Sequence, residues 1–184
     1  MRYLKSFYSM NEDLDLCYDS LVVDEKDTNV KYEFVDDFGN KFLVVFKNDT
    51  IGPEFSKRVG DSWEVIYLVE VDESEVTVDT DGSFILLNNH SAKINKWNDR
   101  FWSIEKIVPT NIYKVVATVL GDITTNFLSN RPETRMLRLE GLSKNGESGL
   151  TKRTKLYKRF LDRNPIDGYS VEDKGNRIFI VKKR

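Results

Sequence analysis

Apolar residues recur at every second position over two stretches of the first half of the chain. In NVKYEFVDDFGNKFLVVFKN, Val30, Tyr32 and Phe34 alternate with polar or charged neighbours; Phe42, Val44 and Phe46 alternate beyond DDFGN. Period two puts each set on one face of a strand, and the Asp/Gly/Asn cluster supplies a turn, so the segment predicts a β-hairpin. SWEVIYLVEVDE places Trp63, Val65, Tyr67, Val69 and Val71 on one face of a longer, half-buried strand. Between them, NDTIGPEFSKRVGD carries Gly52, Pro53 and Gly60 and predicts a mobile loop. EVTVDTDGSFILL predicts another hairpin, turning at Asp81-Gly82. The polar LNNHSAKINKWNDRFWSIEKI, with its aromatic group Trp97, Phe101 and Trp102, predicts a loop leading into a strand.

The period changes after residue 110. Ile112, Val115, Val116, Val119, Leu120, Ile123 and Phe127 fall on one helical stripe, with Thr110 or Asn111 able to cap its start. Gly121 inside this stripe costs about 1 kcal/mol relative to alanine, which points to close packing there. TRMLRLEG predicts a strand. LTKRTKLYKRFLDRN predicts a second helix, capped by Thr151, with Leu156, Tyr157, Phe160 and Leu161 towards the core and Pro165 ending it. GYSVEDKGNRIFIVKK predicts two short strands around Lys174-Gly175-Asn176. Strands followed by a helix–strand–helix–strand unit give one α+β domain over residues 1–184, an antiparallel or mixed sheet with two main helices.

Composition narrows the chemistry. The 184 residues include one cysteine, Cys17, and one histidine, His90. A disulfide framework, a thiolate-rich metal site and a His-pair metal site are excluded, and a reducing compartment is expected. No apolar run reaches the roughly 20 residues of a membrane span, so a soluble chain is expected. The net charge of −2 conceals a division: residues 131–184 hold 15 Lys/Arg against 7 Asp/Glu, and residues 1–130 hold 13 against 23. Such a division fits either an anionic partner for the C-terminal part or attraction between the two parts of the fold.

The glycine-rich EGLSKNGESGLTKRTKLYKRF precedes the basic helix, an order that suits a phosphate cradle. GLSKNGES has P-loop spacing, but Glu147 stands where the phosphate-binding lysine belongs, which excludes nucleotide hydrolysis there. A simpler anion site survives at Ser148, Gly149, Lys152, Arg153, Lys155, Tyr157 and Arg159, at and after a helix N-terminus. VDTDGS resembles a calcium loop, yet its glycine comes at the fourth position and His90 occupies the twelfth, so a hairpin turn is expected. Asp72, Glu73 and Glu75 read as a solvated turn. Trp97, Phe101 and Trp102 read as a satellite core more readily than as a base-stacking platform. No metal or cofactor is expected.

Two resemblances add to this reading. The element order of the second half resembles that of GNAT-type N-acetyltransferases, whose cofactor lies between a splayed pair of parallel strands. That family holds the acetyl-CoA pyrophosphate on a [QR]-x-x-G-x-[GA] turn. KIVPTNIYKVV, without glycine, stands at the corresponding place here. KVVATVLGDITTNFL, RMLRLEG and the SG-x-x-x-R-x-x-LY-x-R segment (Ser148, Gly149, Arg153, Leu156, Tyr157, Arg159) resemble uncharacterised small proteins of large tailed bacteriophages. MRYLKSFYSMNED is similar to the processed leaders of internal head proteins of such phages. These resemblances imply a phage accessory protein, in the host cytoplasm or the virion. The expected function is non-catalytic binding of nucleic acid or an acidic protein through the basic helix. The alternatives are a degenerate GNAT-like acyltransferase and a virion-internal protein whose leader spans residues 1–20.

Overall fold

The computed structural model describes residues 16–48, 62–140, 151–174 and 177–184. Residues 1–15, most of the predicted 48–61 loop and the stretch 141–150 lie outside them, and so does nearly all of the leader. The chain is a mixed α+β fold built on a large, mostly antiparallel sheet.

Strands β1 (Ser20–Lys26), β2 (Asn29–Val35), β3 (Lys41–Asn48) and β4 (Ser62–Val71) form an antiparallel meander. The β2–β3 register sets Phe34 opposite Phe42 and Tyr32 opposite Val44, as the alternation predicts. Asp36 makes the turn. Its carboxylate accepts hydrogen bonds from the amides of Phe38 (2.9 Å) and Asn40 (2.8 Å) and from the Asn40 side chain (2.9 Å). Gly39 takes φ +81°, a conformation in which a side chain is strained. Asn40 also donates to the Pro109 carbonyl, tying the turn to the entry of the first helix.

Asp36 is buried, which raises its pKa, but the bonds from Asn40 and neighbouring groups outweigh this and hold it below the ordinary value. A folded-state pKa below the unfolded one stabilises the fold above the unfolded value of about 3.9 and ceases to do so as pH falls through the folded value. The urea midpoint is therefore expected to hold between pH 7 and about 5 and to drop below pH 4. Asp36→Asn should lower the midpoint at pH 7 and flatten the acid limb.

The meander packs its inward face on helix α1 (112–130), which runs as α-helix over Ile112–Val116, π-helix over Ala117–Ile123 and α-helix over Thr124–Asn130. Asn111, not Thr110, caps it, accepting from the Lys114 amide. The π segment was not expected from the stripe. Six consecutive residues, 115–120, are buried, more than one face of a regular α-helix can cover. Both the Thr124 amide and its hydroxyl (2.7 Å) reach the Val119 carbonyl five residues back. The amide of Tyr18, in the chain entering β1, donates to the Thr118 hydroxyl (2.8 Å). Of the predicted stripe, Val115, Val116, Val119, Leu120, Ile123 and Phe127 are buried, whereas Ile112, in the first turn of the helix, is exposed. Phe127 stacks on Phe46 at 4.0 Å and meets Trp63 edge-on at 5.1 Å.

After β4 the chain makes a short helical turn (Glu73–Glu75) and a separate three-stranded sheet, β5 (Val76–Val78), β6 (Phe84–Leu86) and β7 (Asn89–Lys93). Gly82 takes φ +85° and the Asp79 carboxylate accepts from the Asp81 and Ser83 amides, so VDTDGS is a hairpin turn. LNNHSAKINKWNDRFWSIEKI, expected as a loop leading into a strand, instead contains strand β7 and strand β8 (Asn95–Trp97) as well, the latter pairing with β9 (Arg100–Ser103). Trp102 is fully buried with Leu43, Val45 and Leu68 on the outer sheet face, and Phe101 joins a second small cluster with Val71, Leu86, Ala92 and Ile94. The aromatics are thus satellite cores. Arg100 ties this layer together: it pairs with Glu33 at 2.9 Å and with Glu70, and lies over the Trp102 ring at 4.5 Å.

Strand β10 (Met136–Glu140) follows α1, helix α2 (Lys152–Arg163) follows β10, and β11 (Tyr169–Lys174) with β12 (Arg177–Lys182) ends the chain. The order across the sheet is β1-β2-β3-β4-β10-β12-β11. Among the described residues only the β4–β10 pair is parallel, and it is short: Ser62–Val65 opposite Met136–Leu139. The same edge of β4 is taken by β9 from Val69 onwards, because β3 occupies the other edge throughout. Among the described residues no strand lies beside Ile66, Tyr67 and Leu68 on that edge.

Candidate functional site on the basic helix

Helix α2 is amphipathic. Thr154, Tyr157 and Leu161 are buried, at spacings of three and four, and Leu156 and Phe160 pack half-buried beside them. The Phe160 ring lies 3.4 Å from where a Cβ on Gly121 would stand, the close approach expected at that glycine. The Thr151 hydroxyl caps the helix, accepting from the Thr154 amide at 3.2 Å.

The sequence places Lys152, Arg153, Lys155, Tyr157 and Arg159 in one site, and the structure divides them. At 100° per residue, Lys152, Lys155, Arg159 and also Arg163 fall within an arc of about 80° opposite the buried face. All four are exposed, and no acidic side chain pairs with any of them among the described residues. Arg163 was missed by the sequence reading, although it lies four residues beyond Arg159 on the same stripe. The stripe runs the twelve residues of the helix, about 16 Å from end to end along the axis. Lys158 lies outside it and is neutralised by Asp162 at 2.9 Å, with Asp173 at 3.9 Å.

Arg153 and Tyr157 turn the other way. Arg153 lies over the Tyr67 ring at 5.5 Å and donates to the Ile104 carbonyl at 3.4 Å. Tyr157 is 8% exposed. With Val65, Tyr67, Ile104, Val119 and Leu139 they line a cleft where the edge of β4 passes from β10 to β9. Their placement follows from helical spacing: residues 153, 157 and 160 share the side of α2 that meets the core. Ser148 and Gly149 lie outside the described residues.

Both tyrosines keep their protons at neutral pH. Burial pushes the Tyr67 hydroxyl up, Tyr157 nearby pushes it further, and Arg153 offsets part of this. Burial likewise raises Tyr157 against the pull of Arg153. Neither hydroxyl has a hydrogen-bond partner among the described residues. Tyr157→Phe is therefore expected to change stability by less than about 1 kcal/mol, since the hydroxyl it removes makes no hydrogen bond among the described residues and the ring that packs is kept. Chemical denaturation checks this; a loss above 1 kcal/mol reveals a hydrogen bond the fold depends on.

The first turn of α2 carries Lys152, Arg153 and Lys155 and no acid. Cations there oppose the helix dipole by roughly 0.3–1 kcal/mol each. The charge division between the two parts of the chain is only partly used inside the fold. Arg131 meets Glu25 (3.3 Å) and Arg138 meets Glu64 (3.2 Å), whereas the α2 stripe meets none.

His90 is exposed on β7, and no three His, Cys, Asp or Glu side chains gather in metal-binding geometry among the described residues. No helix among them is long and apolar enough to cross a membrane. No protein family, curated protein or solved structure matches this chain.

Proposed function

We propose that this is a non-catalytic binding protein whose α2 stripe, Lys152, Lys155, Arg159 and Arg163, engages the phosphate backbone of nucleic acid. The observation that carries the reading is the stripe itself: four exposed cations in line over about 16 Å, without acidic partners, on a helix whose stability two of them oppose. Regularly spaced positive charge suits a partner with regularly spaced negative charge, and backbone contacts of this kind are sequence-independent. The resemblance to tailed-phage proteins fits an accessory role of this sort. Fluorescence anisotropy with labelled single-stranded and duplex oligonucleotides, at low salt, tests the reading against polyglutamate of equal charge. Nucleic acid is expected to bind, with affinity indifferent to base sequence. Absence of binding, or polyglutamate binding as tightly, overturns it, the second result in favour of an acidic protein partner.

One observation favours a second reading. The parallel β4–β10 pair runs together for four residues and then β4 loses its neighbour, with both helices on the same side. This supports the GNAT-like reading, in which acetyl-CoA enters between diverging parallel strands. At the start of α1, where that family holds pyrophosphate, Lys114 is already engaged by Asp37 at 3.3 Å and Asn111 supplies the cap. Calorimetry with acetyl-CoA decides: heat with a saturable isotherm supports an acyl-CoA site, and a flat trace removes it.

A further inference from the structure

The two helices pack on one face of the sheet and run in the same direction. Helix α1 starts beside the β2–β3 turn, where Asn40 reaches the Pro109 carbonyl, and its far end meets Phe46 and Trp63 at the opposite end of β3 and β4. Helix α2 follows β10, which is parallel to β4, and Arg153 in its first turn lies over Tyr67. Phe160, two turns further on, meets Gly121 of α1. The first turns of both helices therefore stand at the same end of the sheet, with axes roughly 8–10 Å apart as in other packed helices.

Tyr113 stands on the side of α1 that faces α2. It precedes Ala117 and Gly121 at four-residue intervals, so the three share a face. Ala117 is buried and Gly121 approaches Phe160. Val119 is level with Arg153 and Tyr157, so Tyr113, six residues earlier and about 9 Å further along the axis, lies just past the start of α2 at Lys152. Its ring is 72% exposed. Lys114, the next residue, turns away towards Tyr18 and pairs with Asp37. Phe38, the other strongly exposed aromatic among the described residues, follows Asp36 and Asp37, whose charge repels a polyanion. Tyr113 instead stands at the end of a row of cations.

We propose that the partner of the α2 stripe is a single strand, and that the base beyond Lys152 stacks on Tyr113. The inference rests on the phosphate-backbone reading of the stripe. Cations that track the backbone and an aromatic ring that takes whichever base arrives hold single strands without sequence preference, since every base has a π face. In a duplex the bases are already paired and stacked, and delivering one to Tyr113 costs the energy of extruding it. Tyr113 therefore adds affinity for a single strand and none for a duplex.

Anisotropy on the full chain tests this with three labelled ligands: an oligothymidylate, the same strand in a duplex, and a strand of equal length that carries no bases. Tyr113→Ala is expected to weaken oligothymidylate by about 5- to 150-fold, the worth of one base–aromatic stack. Its affinity for the duplex and the baseless strand should equal that of the native protein. Tyr113→Phe, which keeps the ring, should bind oligothymidylate as the native protein does. Unchanged oligothymidylate affinity in the alanine variant overturns the stacking, and so does equal weakening of all three ligands, which marks a structural effect on α1. The two readings fail distinguishably. If oligothymidylate binds with salt-dependent affinity that Tyr113→Ala leaves unaltered, the stacking alone falls and the backbone reading stands. If the native protein binds none of the three, both fall.

Discussion

Replacing Phe127 with alanine is expected to destabilise the fold by about 3–5 kcal/mol, the usual range for deleting a buried aromatic ring. The cost follows from position. Phe127 is 1% exposed and joins the end of α1 to both β3, through Phe46, and β4, through Trp63. The π segment just before it sets the rotation of the last helical turn, so a neighbour cannot easily move in to fill the space. Arg131, whose guanidinium lies 5.1 Å from the Trp63 ring and 5.9 Å from the Phe127 ring, would lose one of its two aromatic supports. For a chain of this length the loss corresponds to a fall in melting temperature of about 6–20 °C. Against a typical total stability of about 5–15 kcal/mol, the variant would stand near the edge of folding. A fall of less than 3 °C by calorimetry contradicts the packing of α1 described above.

The second large effect concerns binding. Changing Lys152, Lys155, Arg159 and Arg163 together to glutamine is expected to leave the fold intact, because all four are exposed and meet no acidic group among the described residues. Stability should even rise, by up to about 1 kcal/mol, as the gain from two cations leaving the start of the helix exceeds the loss of Arg163 from its last turn. Affinity for single-stranded nucleic acid at 50 mM salt should fall by roughly 10³- to 10⁴-fold, the electrostatic share that four released counterions contribute relative to 1 M salt. Arg153→Gln, by contrast, removes an equal charge from the same helix and should change nucleic-acid affinity little, because Arg153 faces the cleft. The contrast between these two proteins separates a surface that meets a polyanion from a mere excess of positive charge.

How much of this was legible depends on what each feature requires. The β2–β3 hairpin and β4 were readable because a half-buried strand writes its burial at period two, in Val30, Tyr32, Phe34, Phe42, Val44, Phe46 and Trp63 onwards. Strand β1 was not, because Leu21, Val22 and Val23 are all exposed on an edge strand with a register shift after Val22, so no alternation marks a buried face. Strands β7 and β8 bury few side chains and left no pattern to read. The π segment rests on bonds to carbonyls five residues back, such as Thr124 to Val119, and these compete with ordinary helical ones without any compositional mark.

The candidate site shows the same division between local and distant causes. The basic residues of α2 and their helix were visible in the sequence, and helical spacing alone separates the outward Lys152, Lys155, Arg159 and Arg163 from the inward Arg153 and Tyr157. Tyr67 could not be assigned to a cleft from its own strand, where it reads as one more inward position. Its opening exists because β9 and β10, more than thirty residues apart in sequence, share one edge of β4 and do not meet. Pairing of that kind has no local signature.

The most direct test of the central claim is the salt dependence of oligonucleotide affinity, measured by anisotropy for the native protein and the four-glutamine variant. With four phosphate contacts, the slope of log K against log salt for the native protein is expected near −2.8 for a single strand and near −3.6 for a duplex, and near zero for the variant. Equal slopes for the two proteins, or native affinity that does not fall as salt rises, would contradict a nucleic-acid surface on α2.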